Sequence, residues 1–288
     1  MARIIGGIGT SHVPTIGVAY DKKKQDDPAW APMFQGYVPA AKWLAEKKPD
    51  VVVIFFNDHA SSFFFDLYPT FAVGVAEEFE VADEGAGKRP FPPIRGSFEL
   101  AAHMAEQLVN DEFDIATFYD HPLDHGVFSP LPLLLPHDPE WPCALLPIMV
   151  NVIQHPIPSA RRCYKLGQAV KRAIESYPED LTVAVIGTGG LSHQVHGERA
   201  GFNNEEWDQE FLDLFVDDPE RILNMKLADF VRLGGAEGAE IIMWMAMRGT
   251  LPEDIRCLHR SYYLATSTPF AVALYEGADE AAQAVAAE

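Results

Sequence analysis

The feature that most constrains this chain is the unbroken apolar run 51–56 in VVVIFFNDHASSFFFD, which ends abruptly at Asn57, Asp58 and His59. A strand with one wet face would alternate apolar and polar residues. A continuous run of this length reads instead as a strand covered on both faces, and that requires helices on both sides of its sheet. The rest of the chain supplies the partners. Strands are expected at residues 3–8, in TFAVGVA, FDIATFYD, CALLPIMVNV and LTVAVIGTGG, and near the end in LHRSYYLATS and PFAVALYEG. Helices are expected in YVPAAKWLAEKKPD (stopping before Pro49), from Ser97 in SFELAAHMAEQLVND, in SARRCYKLGQAVKRAIESY, in the acidic NNEEWDQEFLDLFVDD, and in AEGAEIIMWMAMRG, closed by Gly249. This alternation predicts a layered α/β/α sandwich around a mainly parallel or mixed sheet. One domain spanning 1–288 is expected, with 277–288 an alanine-rich tail that frays. The segment 77–96, charged and then rich in Gly and Pro, reads as a surface excursion.

Composition narrows the partners. A net charge of −20 opposes nucleic-acid binding, because a phosphate backbone needs a basic surface. Cys143, Cys163 and Cys257 lie far apart without a CxxC spacing, which fits a reducing compartment. The N-terminal segment lacks a signal-peptide pattern and no run has the length of a membrane span, so a cytoplasmic protein is expected.

Several histidines fall where a predicted strand gives way to a loop: His12, His59, His125, and the pair His193 and His196. The crevice outside strand carboxyl ends is where sheet enzymes gather their ligands. Any one of these histidines alone reads as a structural loop residue, but four such segments on one sheet edge read as a site. His103, His121, His137, His155 and His259 lack that context and read as structural. Clustered imidazoles suggest a metal, and two His with one carboxylate is the open-faced set of non-haem Fe(II) enzymes. Glu237 and Glu240 open an otherwise apolar helix. The helix dipole explains Glu237, whereas Glu240 reads equally as a ligand or as surface-facing. Asn57 and Asp58 read either as supports for His59 or as turn caps. No GxGxxG, Gx4GK[ST] or GxSxG pattern occurs.

The segments GGIGTSHVPTIG, VVVIFFNDHASSFFFD, DHGVFSPL, IGTGGLSHQVHG and GAEIIMWMAMRG, in this order, resemble the class III extradiol ring-cleaving dioxygenases. Within that family the chain is most similar to the β (catalytic) subunit type of the protocatechuate 4,5-dioxygenases. The resemblance implies Fe(II) held by His12, His59 and Glu240, with His193 as the acid–base residue. It further implies that His125 faces the substrate and that Ser267 lies near the ring carboxylate. The expected reaction opens protocatechuate between C4 and C5 with O2. The alternatives are gallate or another carboxylated catechol, a non-catalytic metal-binding paralogue, or a zinc hydrolase. The resemblance also implies a small α subunit covering the active site, and it admits a heterotetramer.

Overall fold

In the computed structural model, which describes residues 1–278, Val51–Phe56 is a strand with all six residues buried. Its alternate side chains feed two separate cores. Val51, Val53 and Phe55 enter one, and Val52, Ile54 and Phe56 enter the other. The apolar run is continuous because both faces of the strand are dry.

In chain order the strands are β1 (Arg3–Thr10), β2 (Val51–Phe56), β3 (Phe71–Gly74), β4 (Glu78–Phe79), β5 (Ile94–Arg95), β6 (Ala116–Phe118), β7 (Ala144–Val150), β8 (Thr182–Thr188), β9 (Ile255–Tyr263) and β10 (Phe270–Gly277). Eight of them form one sheet in the order β6-β3-β7-β2-β8-β1-β10-β9, and β4 pairs with β5 separately. The four central strands β7, β2, β8 and β1 run parallel. Antiparallel pairings of β3 with β7, β10 with β1 and β9 with β10 make the flanks mixed. The layered α/β/α arrangement expected from the sequence is present. Of the tail 277–288, only Gly277 and Ala278 fall within the described residues.

On one face lie the helices Phe98–Asn110, Ala160–Ser176, Glu205–Asp217 and Ile242–Thr250. Ala160–Ser176 starts at Ser159, whose side chain accepts from Arg162 N at 3.1 Å. It buries Cys163, Leu166, Val170 and Ile174, one stripe at helical spacing. Its neighbour Ile242–Thr250 is buried along its whole length. The two backbones touch through glycines. A Cβ on Gly167 would overlap the Ala246 carbonyl, and one on Gly249 would overlap that of Tyr164. Gly249 therefore lies inside the helix that it was expected to close, and close approach is what requires it. The other face is covered by Ala31–Lys47, which starts earlier than its spacing suggested and continues through Pro39. Ser97 precedes Phe98–Asn110 but its side chain makes no capping bond. Among the described residues, no helix is long and apolar enough to cross a membrane.

Candidate metal centre

Because β2, β8 and β1 are adjacent and parallel, their carboxyl ends share one edge of the sheet. Two residues beyond β1 stands His12, three beyond β2 stands His59, and five beyond β8 stands His193. Glu240 comes from the short 3-10 turn Glu237–Ile241, which runs directly into Ile242–Thr250. The Gly190 backbone N–H fixes its carboxylate by donating to Oε2 at 2.9 Å. His12, His59 and Glu240 each offer one donor atom, all within 4.8 Å of one another. Glu240 Oε2 lies 3.0 Å from His12 Nε2, and Oε1 lies 3.7 Å from His59 Nε2. Of the two open readings for Glu240, the surface-facing one fails, since the residue is buried.

The hydrogen bonds around His12 assign its tautomer. Thr188 Oγ1 spends its single proton on the Phe55 carbonyl at 3.2 Å. It can then only accept from His12 Nδ1, 3.0 Å away. The proton of His12 is therefore on Nδ1, and Nε2 faces the Glu240 carboxylate bare. Burial pushes the His12 pKa down, against the pull of Glu240, which keeps the ring neutral. His12 Nε2 and Asn57 Oδ1 are both buried without a hydrogen-bond partner. A bare nitrogen and a carboxylate oxygen, held together out of water, fit a divalent cation better than they fit each other.

His59 is oriented by a residue that the sequence reading passed over. Asp124 Oδ2 accepts from the His59 backbone N–H at 2.7 Å and from Nδ1 at 3.0 Å, while Oδ1 accepts from Gly126 N. A carboxylate behind a ligating imidazole fixes its ring and raises its basicity. Burial alone would lower the His59 pKa, but Asp124 and Glu240 more than reverse this and hold it up at about 10. Burial likewise opposes ionisation of Asp124 and Glu240, yet the facing histidines hold both below the usual carboxylate range. Asn57 Nδ2 lies 3.1 Å from His59 Nε2, so cation binding there would replace that contact. Asp58 is a turn cap, accepting from the backbone N–H groups of Ser61, Ser62 and Phe63. The signal for Asp124 was local: it directly precedes His125 and N-caps the short helix His125–Phe128.

His125 stacks on His59 with ring centroids 3.8 Å apart. Its Nδ1 and backbone N–H both meet the Glu84 carboxylate. Glu84 belongs to the segment 77–96, whose sequence predicts a surface excursion. The segment is largely exposed, as expected, and it also folds back through the β4–β5 pair so that Glu84 meets His125. His193 is buried, and its Nδ1–H donates to Leu191 O at 2.7 Å, so that in the neutral tautomer Nε2 is the free acceptor. Its ring lies against Gly190, where any Cβ would overlap it. His196 does not join the group; it is exposed and lies 3.5 Å from Glu237. Glu237 also accepts from Val195 N at 3.1 Å, a more specific role than the helix dipole alone. Ser267 lies in the β9–β10 loop with its side chain exposed and its carbonyl held by Asn203 Nδ2 at 2.7 Å.

Residues 6–274 match a protein family described as the catalytic LigB subunit of aromatic ring-opening dioxygenase. Gallate dioxygenase of Pseudomonas putida is 57% identical over 201 residues, 70% of this chain and 59% of that protein. The chain thus spans less than two thirds of that relative's length. The 2,3-dihydroxyphenylpropionate/2,3-dihydroxicinnamic acid 1,2-dioxygenase of Photorhabdus laumondii is 28% identical over 283 residues, covering 83% of this chain and 86% of that protein. A crystal structure of an uncharacterized Escherichia coli K12 protein superposes with a TM-score of 0.56 over 93% of this chain and 99% of that one. At 12% identity, it speaks to the fold alone.

Proposed function

The chain belongs to the LigB family of class III extradiol dioxygenases, and from that premise we propose that it is an Fe(II)-dependent ring-cleavage dioxygenase acting on gallate. The observation that carries the reading is the convergence of His12, His59 and Glu240, with the bare Nε2 of His12 turned toward the carboxylate. The sequence motifs alone favour protocatechuate. The 57% identity to a protein named gallate dioxygenase moves gallate ahead of it.

His12, His59 and Glu240 would hold the iron, which supplies Lewis acidity toward the substrate hydroxyls and the redox capacity to activate O2. The remaining work falls to the chain's own side chains. His193, with Nδ1–H tied to Leu191 O, presents Nε2 as a base that takes a proton from a substrate hydroxyl and later returns it. Glu84 holds His125 as a wall of the substrate site. Ser267, exposed in the β9–β10 loop, is assigned to the ring carboxylate. A small α subunit covering the site is part of the same proposal, as is a cytoplasmic setting.

The test is oxygen uptake by anaerobically Fe(II)-loaded protein on gallate and protocatechuate, with and without an α subunit, following the ring-opened product. A higher kcat/KM for gallate supports the reading, and a higher value for protocatechuate restores the earlier order. Iron bound with no uptake on any catechol would overturn the dioxygenase assignment.

A further inference from the structure

Asp208 has no part in the chemistry described above, yet it is a fully buried carboxylate on helix Glu205–Asp217. Its oxygens accept from Ser192 N at 2.7 Å, from Ser192 Oγ at 2.7 Å and from the Tyr262 hydroxyl at 2.9 Å. Ser192 immediately precedes His193, and every polar atom of Ser192 is engaged. Its Oγ also accepts from Asn204 N at 2.7 Å, and its carbonyl accepts from Asn203 Nδ2 at 2.9 Å. The same Asn203 amide donates to the Ser267 carbonyl. On the far side of Ser192, His193 N donates to Gly234 O at 2.7 Å. The turn that carries His193 is thus held by Asp208 from one helix, by Asn203 and Asn204 just ahead of that helix, and by Gly234 at the end of the helix Leu227–Gly234.

Resting on the function proposed above, we infer that Asp208 is a positioning residue, which sets the His193 imidazole through Ser192 and couples it to the Ser267 loop through Asn203. A carboxylate accepts from several donors at once. Had the site needed only packing, an apolar residue would have served without the cost of burying a charge. Asn in its place has one acceptor oxygen and an NH2 that cannot accept, so it cannot satisfy the Ser192 N–H, the Ser192 hydroxyl and the Tyr262 hydroxyl in their present directions. The turn then relaxes, and small misplacements of a proton-transfer group are costly.

The test is Asp208→Asn in the full chain, read first without turnover. In zinc-loaded protein, used as a diamagnetic stand-in, the His193 ring N–H is assigned by its loss in His193→Ala and its exchange with water is measured by NMR. Exchange about tenfold faster in Asp208→Asn, with unchanged metal stoichiometry, is the expected result. In the Fe(II) enzyme, kcat on gallate falls roughly tenfold or more while KM stays within about twofold. In a His193→Ala background, Asp208→Asn adds no further loss of kcat. Unchanged ring exchange, or additive losses in the double variant, would overturn the inference. Should Asp208→Asn fail to fold, Ser192→Ala removes the hydroxyl that donates to Asp208 and leaves the backbone bond, and it is expected to speed exchange to a lesser degree; no change there overturns the inference equally. Faster exchange in a protein that never turns over a catechol would sink the proposed reaction and leave the positioning role standing.

Discussion

His12 Nε2 and Glu240 Oε2 stand 3.0 Å apart in the buried floor of the site, and the tautomer set by Thr188 leaves no proton on the imidazole nitrogen that faces the carboxylate. Two lone pairs at that separation repel unless a cation lies between them. Thr188 should therefore govern metal affinity without being one of the ligands. Thr188→Val keeps the shape and removes the acceptor that holds Nδ1–H. Affinity for Fe(II) should fall about 10- to 100-fold, as loss of an outer-shell partner usually causes. Anaerobic metal titration followed by elemental analysis checks it, and full wild-type affinity would mean that the tautomer is set by something else.

Proton release should accompany metal binding. In the metal-free site His59 is held up at about 10, so near pH 7 it carries a proton that a ligating imidazole cannot keep. Apparent affinity should then rise with pH, approaching tenfold per unit below that value, and calorimetry in buffers of different ionisation enthalpy should count about one proton released per cation. The sign for stability follows from the same shift. A histidine raised in the native state stabilises fully below its unfolded pKa near 6.5, and this contribution is lost as pH rises toward about 10. Metal-free protein should therefore lose stability across that window, while in the loaded protein this slope flattens.

Much of this site was legible from one repeated pattern, polar residues with a histidine just past an apolar strand. The pattern works because parallel neighbours end on one edge, so His12, His59 and His193 are gathered by topology rather than by sequence proximity. What escaped was the supporting set. Asp124, Glu84 and Asp208 lie in segments that look like a turn, an excursion and a helix surface, and Thr188 is simply the last residue of an expected strand; only the fold brings them behind the histidines. Glu240 stayed ambiguous for a similar reason. A carboxylate at the head of an apolar helix points inward or outward according to the backbone before it, and the 3-10 turn Glu237–Ile241 makes that choice. Gly249 misled because a glycine that permits helix contact looks, in sequence, like one that ends a helix.

Gly9 on β1 supports the site from below. A Cβ there would overlap the indole of Trp244, which is fully buried and donates from Nε1 to Gly189 O at 3.2 Å. Gly9→Ala should cost about 1–3 kcal/mol, the usual range for overfilling a close-packed core. Equilibrium denaturation should show a lower midpoint with an unchanged slope. A variant as stable as the parent would show that the indole has room to move.

His193 separates metal binding from proton transfer. Its Nδ1–H is committed to Leu191 O, and it belongs to neither group of three whose donor atoms lie within 4.8 Å of one another, His12 with His59 and Glu240 or His59 with Asp124 and His125. His193→Ala should therefore bind Fe(II) with the stoichiometry of the parent and still lose turnover on gallate, by about 10²- to 10⁴-fold for the loss of a positioned acid–base group. His12→Ala should show the opposite order, losing iron first and activity as a consequence. Measuring bound iron and initial oxygen uptake on the same samples distinguishes the two. A His193→Ala protein with iron and normal rates would move the proton-transfer role elsewhere, and His125, stacked on His59 and held by Glu84, would be the next residue to replace.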